Sequence, residues 1–343
     1  MLARMRFRNV AIEAVSYELP PLKVTSSELE HRLNGTTARL KLPLRAIEPL
    51  TGIAERRFWD PGTLVSDVAA SVARKALRAA GIEGERIGVL INTSVSKDYL
   101  EPSMASLVHG DLGLPPECLN FDIANACLGF LNGIEVAGRM IEEGLVDYAL
   151  LVDGESAGEI VESTIKRMAG LDVTAKDFWD NFATLTLGSV AVAMVMTHTR
   201  LSRTGHRVNG SVTLADTSQN RLCLGTSDWM VTQSARLLKA GVELALKTWK
   251  VAAAQMPGWA TESISHFICH QVGKPHLTAL CDALGIDHQK CFLTFPEHGN
   301  VGPAAVPLTL ALADEAGHIR QGDHVALMGI GSGLNVTMMS ITW

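Results

Sequence analysis

The segment CLNFDIANACLGFLNGIEVAGRMIEEGLVDYALLVDGES, residues 118–156, decides the fold class. Its apolar residues 119–124 have the length of a buried strand, and residues 128–143 have the apolar spacing of a helix that ends before Gly144. Residues 148–152 are a second apolar run of strand length. A strand, a helix and a strand in succession predict an α/β layer structure.

The same order of elements recurs in the second half of the chain. HGNVGPAAV (298–306), a helical stretch and HVALMGIGSG (324–333) correspond to NACLGF, its helix and YALLVDGES. RIGVLINTSVSK (86–97) corresponds in the same way to SISHFICHQVGK (263–274). We interpret this repeat as an internal duplication of an α/β unit, whose strand-to-helix turns converge between the two halves.

The two predicted halves comprise residues 1–198 and 199–343. A helical segment at 156–187, with Thr174 as a predicted N-cap, has no counterpart in the second half. Insertions of this kind often form lids or tunnel walls.

Boundary residues predict the remaining elements. Residues 66–80 have the pattern of a helix that is capped by Ser66 and ends at Gly81. The other predicted helices are 231–255, 275–284 and 303–318. The other predicted strands are 87–92, 264–269, 324–330 and 336–342.

Composition excludes several classes of protein. Of the 343 residues, 47% are hydrophobic, which suffices for a large core and argues against a disordered chain. Lys and Arg number 30 against 36 Asp and Glu, a formal charge of −6 without a basic run, so no nucleic-acid partner is expected. No run approaches the roughly 18 apolar residues of a membrane span, and the N-terminus lacks the apolar core of a signal peptide. We therefore expect a cytoplasmic protein.

Six cysteines are scattered without CxxC spacing, which predicts reduced thiols and no metal site. Cys127 differs from the others because it joins an apolar strand to a glycine-containing helix. The first turn of a helix offers a positive dipole end and free amides, which favour a thiolate and can hold an oxyanion. The sequence predicts a nucleophile at Cys127; a small core residue under the helix is the alternative.

Two polar residues occupy the corresponding turns of the second half. His270 follows an apolar strand in ICHQVGKP, and Asn300 lies in EHGNVGPA. A satisfied core histidine is the alternative for His270, and His298 and His276 are weaker candidates because one precedes a glycine turn and the other lies within a helix. Since functional side chains collect at the carboxyl ends of strands in α/β proteins, we expect Cys127, His270 and Asn300 to meet.

These motifs resemble those of a known family over almost the whole chain. TGIAERR (51–57), FDIANACLGF (121–130), CHQ (269–271), HGNVGPAAVP (298–307) and GIGSG (329–333) are similar to the thiolase-superfamily condensing enzymes, in the 3-oxoacyl-ACP synthase III branch. The resemblance implies a five-layered αβαβα fold from two duplicated halves, and a homodimer.

The same resemblance implies roles for the candidate residues. Cys127 would take an acyl group as a thioester, while His270 and Asn300 would hold the carbonyl of the second substrate as its enolate forms. The N–H groups of Cys127 and Gly333 would stabilise the tetrahedral oxyanion. Acyl-CoA is then a substrate, and no cofactor is implied.

The chain departs from synthase III where that family holds the CoA nucleotide. A tryptophan and an arginine of the family fall on Ala46 and Leu50, and the asparagine of its HQAN motif falls on Gly273. The nucleotide is therefore expected to be held differently, by residues that the sequence does not identify.

A second departure concerns Glu101 in SVSKDYLEPS, which replaces an aromatic residue that reaches into the acyl tunnel of the neighbouring subunit. Desolvation in an apolar tunnel would raise the pKa of this carboxyl and suit it to remove an α-proton. The combined motifs resemble the branch that joins two fatty acyl-CoAs head to head in bacterial olefin biosynthesis. That resemblance implies a non-decarboxylative Claisen condensation to a 2-alkyl-3-oxo acid, with downstream olefin-pathway enzymes. A solvated loop carboxylate is the alternative for Glu101.

Three rival functions remain at this point. A decarboxylative 3-oxoacyl-ACP synthase III would use acyl-CoA and malonyl-ACP and need no base. A papain-like thiol hydrolase also has Cys, His and Asn in this chain order, but the CGSCW signature is missing. A non-catalytic scaffold subunit is disfavoured because Cys127 and both partner residues are present.

Overall fold

The computed structural model describes residues 4–343. The strands up to residue 198 are β1 (Arg4–Arg6), β2 (Val10–Glu18), β3 (Leu22–Thr25), β4 (Glu55–Phe58), β5 (Val89–Asn92), β6 (Leu119–Asp122), β7 (Tyr148–Glu155) and β8 (Val190–His198). The later strands are β9 (His206–Ala215), β10 (Cys223–Gly225), β11 (Met230–Thr232), β12 (His266–Cys269), β13 (His324–Gly331) and β14 (Asn335–Thr342).

Helices connect these strands in both halves. The earlier helices are α1 (Ser26–Arg32), α2 (Asn34–Arg39), α3 (Ile47–Thr51), α4 (Val65–Ala80), α5 (Met104–Leu112), α6 (Gly129–Glu142), α7 (Gly158–Met168) and α8 (Ala175–Asn181). The later helices are α9 (Ser234–Gln255), α10 (Lys274–Leu284), α11 (Phe295–His298) and α12 (Ala305–Glu315).

The pairing of the strands repeats between the halves. The sheet order is β12-β13-β14-β9-β2-β8-β7-β5-β6, with β1 beside β9. In the first half β5 and β7 are parallel, while β7–β8 and β8–β2 are antiparallel. In the second half β12 and β13 are parallel, while β13–β14 and β14–β9 are antiparallel. This identical sequence of pairings confirms the predicted duplication.

The two halves meet in the middle of the sheet order. Strand β2 pairs with β9 through Ala11 with Arg207 and Ile12 with His206. The predicted boundary after residue 198 falls directly after β8. Residues 156–187, the predicted helical segment, contain α7, α8 and a 3-10 turn at Phe182–Thr186.

Neighbouring side chains along a strand belong to different hydrophobic cores, so helices and strands form five layers. Leu151 of β7 and Leu327 of β13 belong to a central core together with residues of α6 and α12. Leu150 of β7 packs with α4 and α5 on one outer face, and Met328 of β13 packs with α9 and α10 on the other. Since successive strand residues point to opposite faces, the sheet portion of each half is covered on both sides. The arrangement is αβαβα, as expected.

Two predicted helix starts are wrong. Ser66 does not cap α4; the carboxylate of Asp98 instead accepts the amides of Val65 at 2.7 Å and of Ser66 at 2.8 Å. The predicted helix from residue 231 begins at Ser234, because Met230–Thr232 pairs with β10 as a hairpin. In contrast, Thr174 is the N-cap of α8 as predicted. In both cases the backbone groups are hydrogen-bonded by residues outside the helix, which the helix sequence itself does not indicate.

No helix among residues 4–343 is long and apolar enough to cross a membrane.

Candidate active site

The predicted nucleophile lies in a sharp turn between β6 and α6. Residues Ala126–Leu128 form one 3-10 turn, and α6 begins at Gly129. Ala126 has φ 46°, a left-handed conformation that is uncommon for a residue with a side chain. Such backbone costs of the order of 1–3 kcal/mol and is often found at functional sites. The turn places Cys127 just before the first residue of α6.

The thiol of Cys127 is protonated in the resting protein. Its removal from water is the largest cause that raises its pKa to about 12, and the charges of Cys223 and Glu155 act in the same direction. A partly buried helix N-terminus contributes up to about 2 kcal/mol, which is about one and a half pKa units. The helix start therefore does not bring the thiol of Cys127 to its thiolate form, because burial outweighs the dipole.

His270 follows the last residue of β12, and its amide bonds the carbonyl of Met328 at 2.7 Å. The residue is buried at 8% exposure, and no group among the described residues bonds its Nδ1. The pKa of the imidazole is lowered to about 4, chiefly by burial and also by His276, while the backbone of Gly302 acts against both. The ring is therefore neutral near pH 7.

Asn300 is held by backbone and side-chain bonds. Its amide bonds the carbonyl of Thr186 at 2.8 Å, and its carbonyl accepts the amide of Gly188 at 2.9 Å. The side-chain Oδ1 accepts the amide of Gly302 at 3.1 Å. This bond assigns Oδ1 to the backbone and leaves Nδ2 as the donor end of the side chain.

The three predicted residues are gathered around the turn Gly302–Ala304. This turn contacts the nucleophile turn Ala126–Leu128. It lies two residues after Asn300, and the ring of His270 interacts with the backbone of Gly302. Gly302 itself has φ 59°, which favours glycine. Cys127 and His270 therefore lie in strand-to-helix turns, Asn300 lies in the turn between α11 and α12, and these three turns converge.

The glycine loop also lies against the nucleophile turn. A Cβ on Gly331 would lie 3.1 Å from the carbonyl oxygen of Asn125 and 3.3 Å from the Cβ of Leu128. Gly333 has φ 150° and lies in the turn between β13 and β14. Glycine allows the loop to approach so closely because it has no Cβ.

Glu101 is exposed in the single chain. Its desolvation in the tunnel of a neighbouring subunit stays a prediction. It lies in the segment 93–103 between β5 and α5. The neighbouring Tyr99 and Leu100 are 51% and 96% exposed. One chain therefore presents the carboxylate at the tip of an apolar, outward-pointing segment.

A buried pair of carboxyl groups next to the site was not predicted as functional. Glu155 ends β7 and accepts the amide of Val95 at 2.6 Å and the hydroxyl of Ser96 at 2.7 Å. Asp153 accepts the hydroxyl of Thr93 at 2.6 Å, while its Oδ1 has no partner among the described residues.

Burial raises the pKa of Asp153 and raises that of Glu155 to about 7, so the pair retains a proton. A Cβ on Gly302 would lie 3.7 Å from the Glu155 carboxyl carbon, so the pair borders the converging turns. The sequence YALLVDGES did contain an indication of this pair, because two acidic residues end an otherwise apolar strand.

Two of the three positions that differ from synthase III have no room for its CoA-holding side chains, whereas Leu50 is open to solvent. Ala46 is buried, and a Cβ on Gly273 would lie 2.9 Å from the carbonyl oxygen of Thr51. Leu50 is 48% exposed.

Comparison with known proteins agrees with this geometry. The profile of 3-oxoacyl-[acyl-carrier-protein] synthase III matches residues 121–217, and that of its C-terminal domain matches residues 254–343. The acyl-CoA:acyl-CoA alkyltransferase of Xanthomonas campestris is 48% identical to the chain, covering 99% of it and 100% of the relative. The chain belongs to the acyl-CoA:acyl-CoA alkyltransferase family. A Shewanella oneidensis alkyltransferase is 38% identical, with the same coverage.

Solved structures of the Xanthomonas campestris alkyltransferase, OleA, have the same fold. The cerulenin-bound enzyme gives a TM-score of 0.97 at 47% identity, covering 99% of this chain and 98% of that one. A cysteine-to-serine variant with bound lauric acid and lauroyl-CoA gives 0.96 at 47% identity, covering 98% of this chain and 100% of that one. Variants of that alkyltransferase with a substituted glutamate or histidine have also been solved. The predicted thiolase-like fold is confirmed.

Proposed function

We propose that this alkyltransferase joins two fatty acyl-CoAs in a non-decarboxylative Claisen condensation that yields a 2-alkyl-3-oxo acid. The observation that carries the proposal is the convergence of Cys127, His270 and Asn300 on one turn in a chain that matches alkyltransferases from end to end.

The first half-reaction is acyl transfer to Cys127. The sulfur attacks the thioester carbonyl of the first acyl-CoA, the thiol proton passes to the departing CoA sulfur, and a Cys127 thioester remains. Because the pKa of the thiol is raised to about 12, deprotonation accompanies the attack. The amides of Cys127 and Gly333 stabilise the oxyanion of the tetrahedral intermediate.

The second half-reaction needs a carbanion. The carbonyl oxygen of the second acyl-CoA accepts hydrogen bonds from neutral His270 and from the Nδ2 of Asn300. A histidine whose pKa is lowered to about 4 is a poor base near pH 7, so it donates to the enolate oxygen and another group removes the α-proton.

We assign that proton removal to Glu101 of a second copy of the chain. The carbanion then attacks the Cys127 thioester, the thiolate leaves, and hydrolysis of the remaining CoA thioester frees the acid. In the Xanthomonas campestris enzyme the substituted glutamate precedes the substituted cysteine by the same number of residues as Glu101 precedes Cys127. The exposed tip at Tyr99 and Leu100 supports docking into a partner.

Mixing two inactive variants tests whether Glu101 crosses between subunits. A heterodimer of Cys127→Ala and Glu101→Gln contains one site with both groups intact only if the glutamate comes from the partner. Co-expression should then restore about a quarter of the wild-type condensation rate, because half of random dimers are mixed and each has one working site. Activity no higher than that of the separate variants would exclude the crossing.

Mass spectrometry tests the reaction itself. Incubation with lauroyl-CoA should add one acyl group to Cys127, and two acyl-CoAs of different length should give mixed 2-alkyl-3-oxo acids. Turnover with malonyl-ACP and none with two acyl-CoAs would contradict the proposal. None of these steps calls for a redox group or a metal, so we propose no cofactor. The cytoplasmic location and the downstream olefin-pathway enzymes stay predictions.

A further inference from the structure

A buried carboxylate on α6 has only neutral partners among the described residues. Glu135 is 7% exposed, and its Oε1 accepts the hydroxyls of Ser211 at 2.6 Å and Thr213 at 3.1 Å. Its Oε2 accepts the Nδ2 of Asn132, one helical turn earlier, at 2.9 Å. A buried carboxylate is retained at a cost unless its oxygens are fully hydrogen-bonded. Glu135 is thus the acceptor end of a polar network in the central layer.

This carboxylate sets the direction of three amide side chains in series. A carboxylate can only accept, so Asn132 must turn its Nδ2 towards Glu135 and its Oδ1 away. That Oδ1 accepts the Nδ2 of Asn125 at 2.6 Å. The Oδ1 of Asn125 in turn accepts the Nδ2 of Asn335 at 3.3 Å. Each amide therefore has one allowed orientation, which Glu135 determines.

The chain of asparagines ends at the two segments that carry the oxyanion amides. Asn125 lies two residues before Cys127, in the turn where Ala126 is left-handed. Asn335 lies two residues after Gly333, as the first residue of β14. The Asn125–Asn335 bond therefore ties the nucleophile turn to the glycine loop.

We propose that Glu135 is a positioning residue for oxyanion binding: through Asn132, Asn125 and Asn335 it fixes the distance between the Cys127 and Gly333 amides. The inference rests on the proposed function, because it needs those amides to hold the tetrahedral intermediate. Catalytic amides must be placed within about 0.5 Å, which a directed network achieves better than apolar packing.

The proposal is tested by placing a carboxylate at position 132, the next position of the hydrogen-bond network after Glu135. Asn132→Asp alone places a second carboxylate against Glu135, and should lower the kcat for Cys127 acylation on the order of 100-fold, the loss expected for one misplaced oxyanion donor. KM for lauroyl-CoA should change little. The loss should grow as the pH rises, because a proton shared between the two acids rebuilds the bond at low pH.

The double variant Glu135→Gln with Asn132→Asp should regain most of the activity at every pH. The side-chain amide introduced at position 135 can donate to the new carboxylate at position 132, which still accepts from Asn125. Asn209→Asp is the matched control, because among residues 4–343 the side chain of Asn209 on β9 donates only to the hydroxyls of Ser340 and Thr342. That control should keep the wild-type kcat.

Three results would overturn the inference: a wild-type kcat for folded Asn132→Asp, a double variant no better than the single one, or an equal loss in Asn209→Asp. If Asn132→Asp does not fold, Asn132→Leu replaces it, with a lower kcat expected and an unchanged kcat contradicting the inference. Failure of the proposed function is separate, since wild-type protein would then form no Cys127 thioester.

Discussion

At the scale of single residues, burial determines the chemistry of the site. The thiol of Cys127 and the imidazole of His270 are both neutral at rest, because removal from water disfavours each charged form. A neutral resting site matches a reaction in which charge appears on the substrate oxygen and is held by fixed donors. In the proposed mechanism, the helix terminus at Cys127 acts on the intermediate more than on the thiol.

The buried imidazole makes stability depend on pH. The pKa of His270 is about 4 in the folded protein and near 6.5 in the unfolded chain, so between these values only the unfolded chain binds the proton. The free energy of unfolding should fall by about 3 kcal/mol from this group as the pH drops from 6.5 to 4, at 1.36 kcal/mol per pKa unit.

Urea unfolding at several pH values measures this contribution as the difference between wild-type protein and His270→Gln. The variant His31→Gln, at an exposed position, is the control for the replacement of a histidine. If the curves of wild type and His270→Gln were parallel from pH 7 to pH 4, the buried neutral imidazole would be refuted.

At the scale of elements, the segment 93–103 is fixed at its base and free at its tip. Glu155 holds the amide of Val95, Asp98 caps α4, and Lys97 pairs with Asp122 at 2.9 Å. The described residues of the single chain provide no comparable restraint for the tip with Glu101. An anchored base with an exposed tip is suited to present one side chain to a neighbouring molecule.

The cap that Asp98 provides for α4 makes a measurable contribution to the free energy of unfolding. Asp98→Ala removes the acceptor of two helix-start amides and should lower the free energy of unfolding by about 1 kcal/mol, the usual effect of losing an N-cap. Ser66→Ala is the comparison, because Ser66 is in the position that local sequence favours but accepts no cap bond. Denaturant unfolding of both variants decides the assignment; an equal or larger loss in Ser66→Ala would contradict it.

At the scale of the whole molecule, the duplication places the chemistry between the halves. Cys127 comes from the first half, while His270, Asn300 and the glycine loop come from the second, and the central helices α6 and α12 support both sides. The residue still missing from this arrangement is the base, which explains why a second copy is proposed.

The apolar tip should therefore stabilise self-association. Leu100→Asp is expected to weaken the dimer at least tenfold, because burying an unpaired carboxylate costs more than about 1.4 kcal/mol. Sedimentation equilibrium measures this change. Leu171→Asp is the matched control, since Leu171 is 87% exposed on the segment after α7 and should have no effect. Equal dissociation constants for wild type and Leu100→Asp would remove the tip from the interface.

Local sequence patterns determined the α/β class, the repeated units and the three converging residues, because strand and helix periodicity and the turns between them depend on neighbours in the chain. Only the tertiary structure decided the Asp98 cap, the protonated thiol, the Asp153–Glu155 pair, the exposure of Glu101 and the network from Glu135. Each of these depends on burial or on a bond between residues far apart in sequence, and neither can be read from the residues on either side.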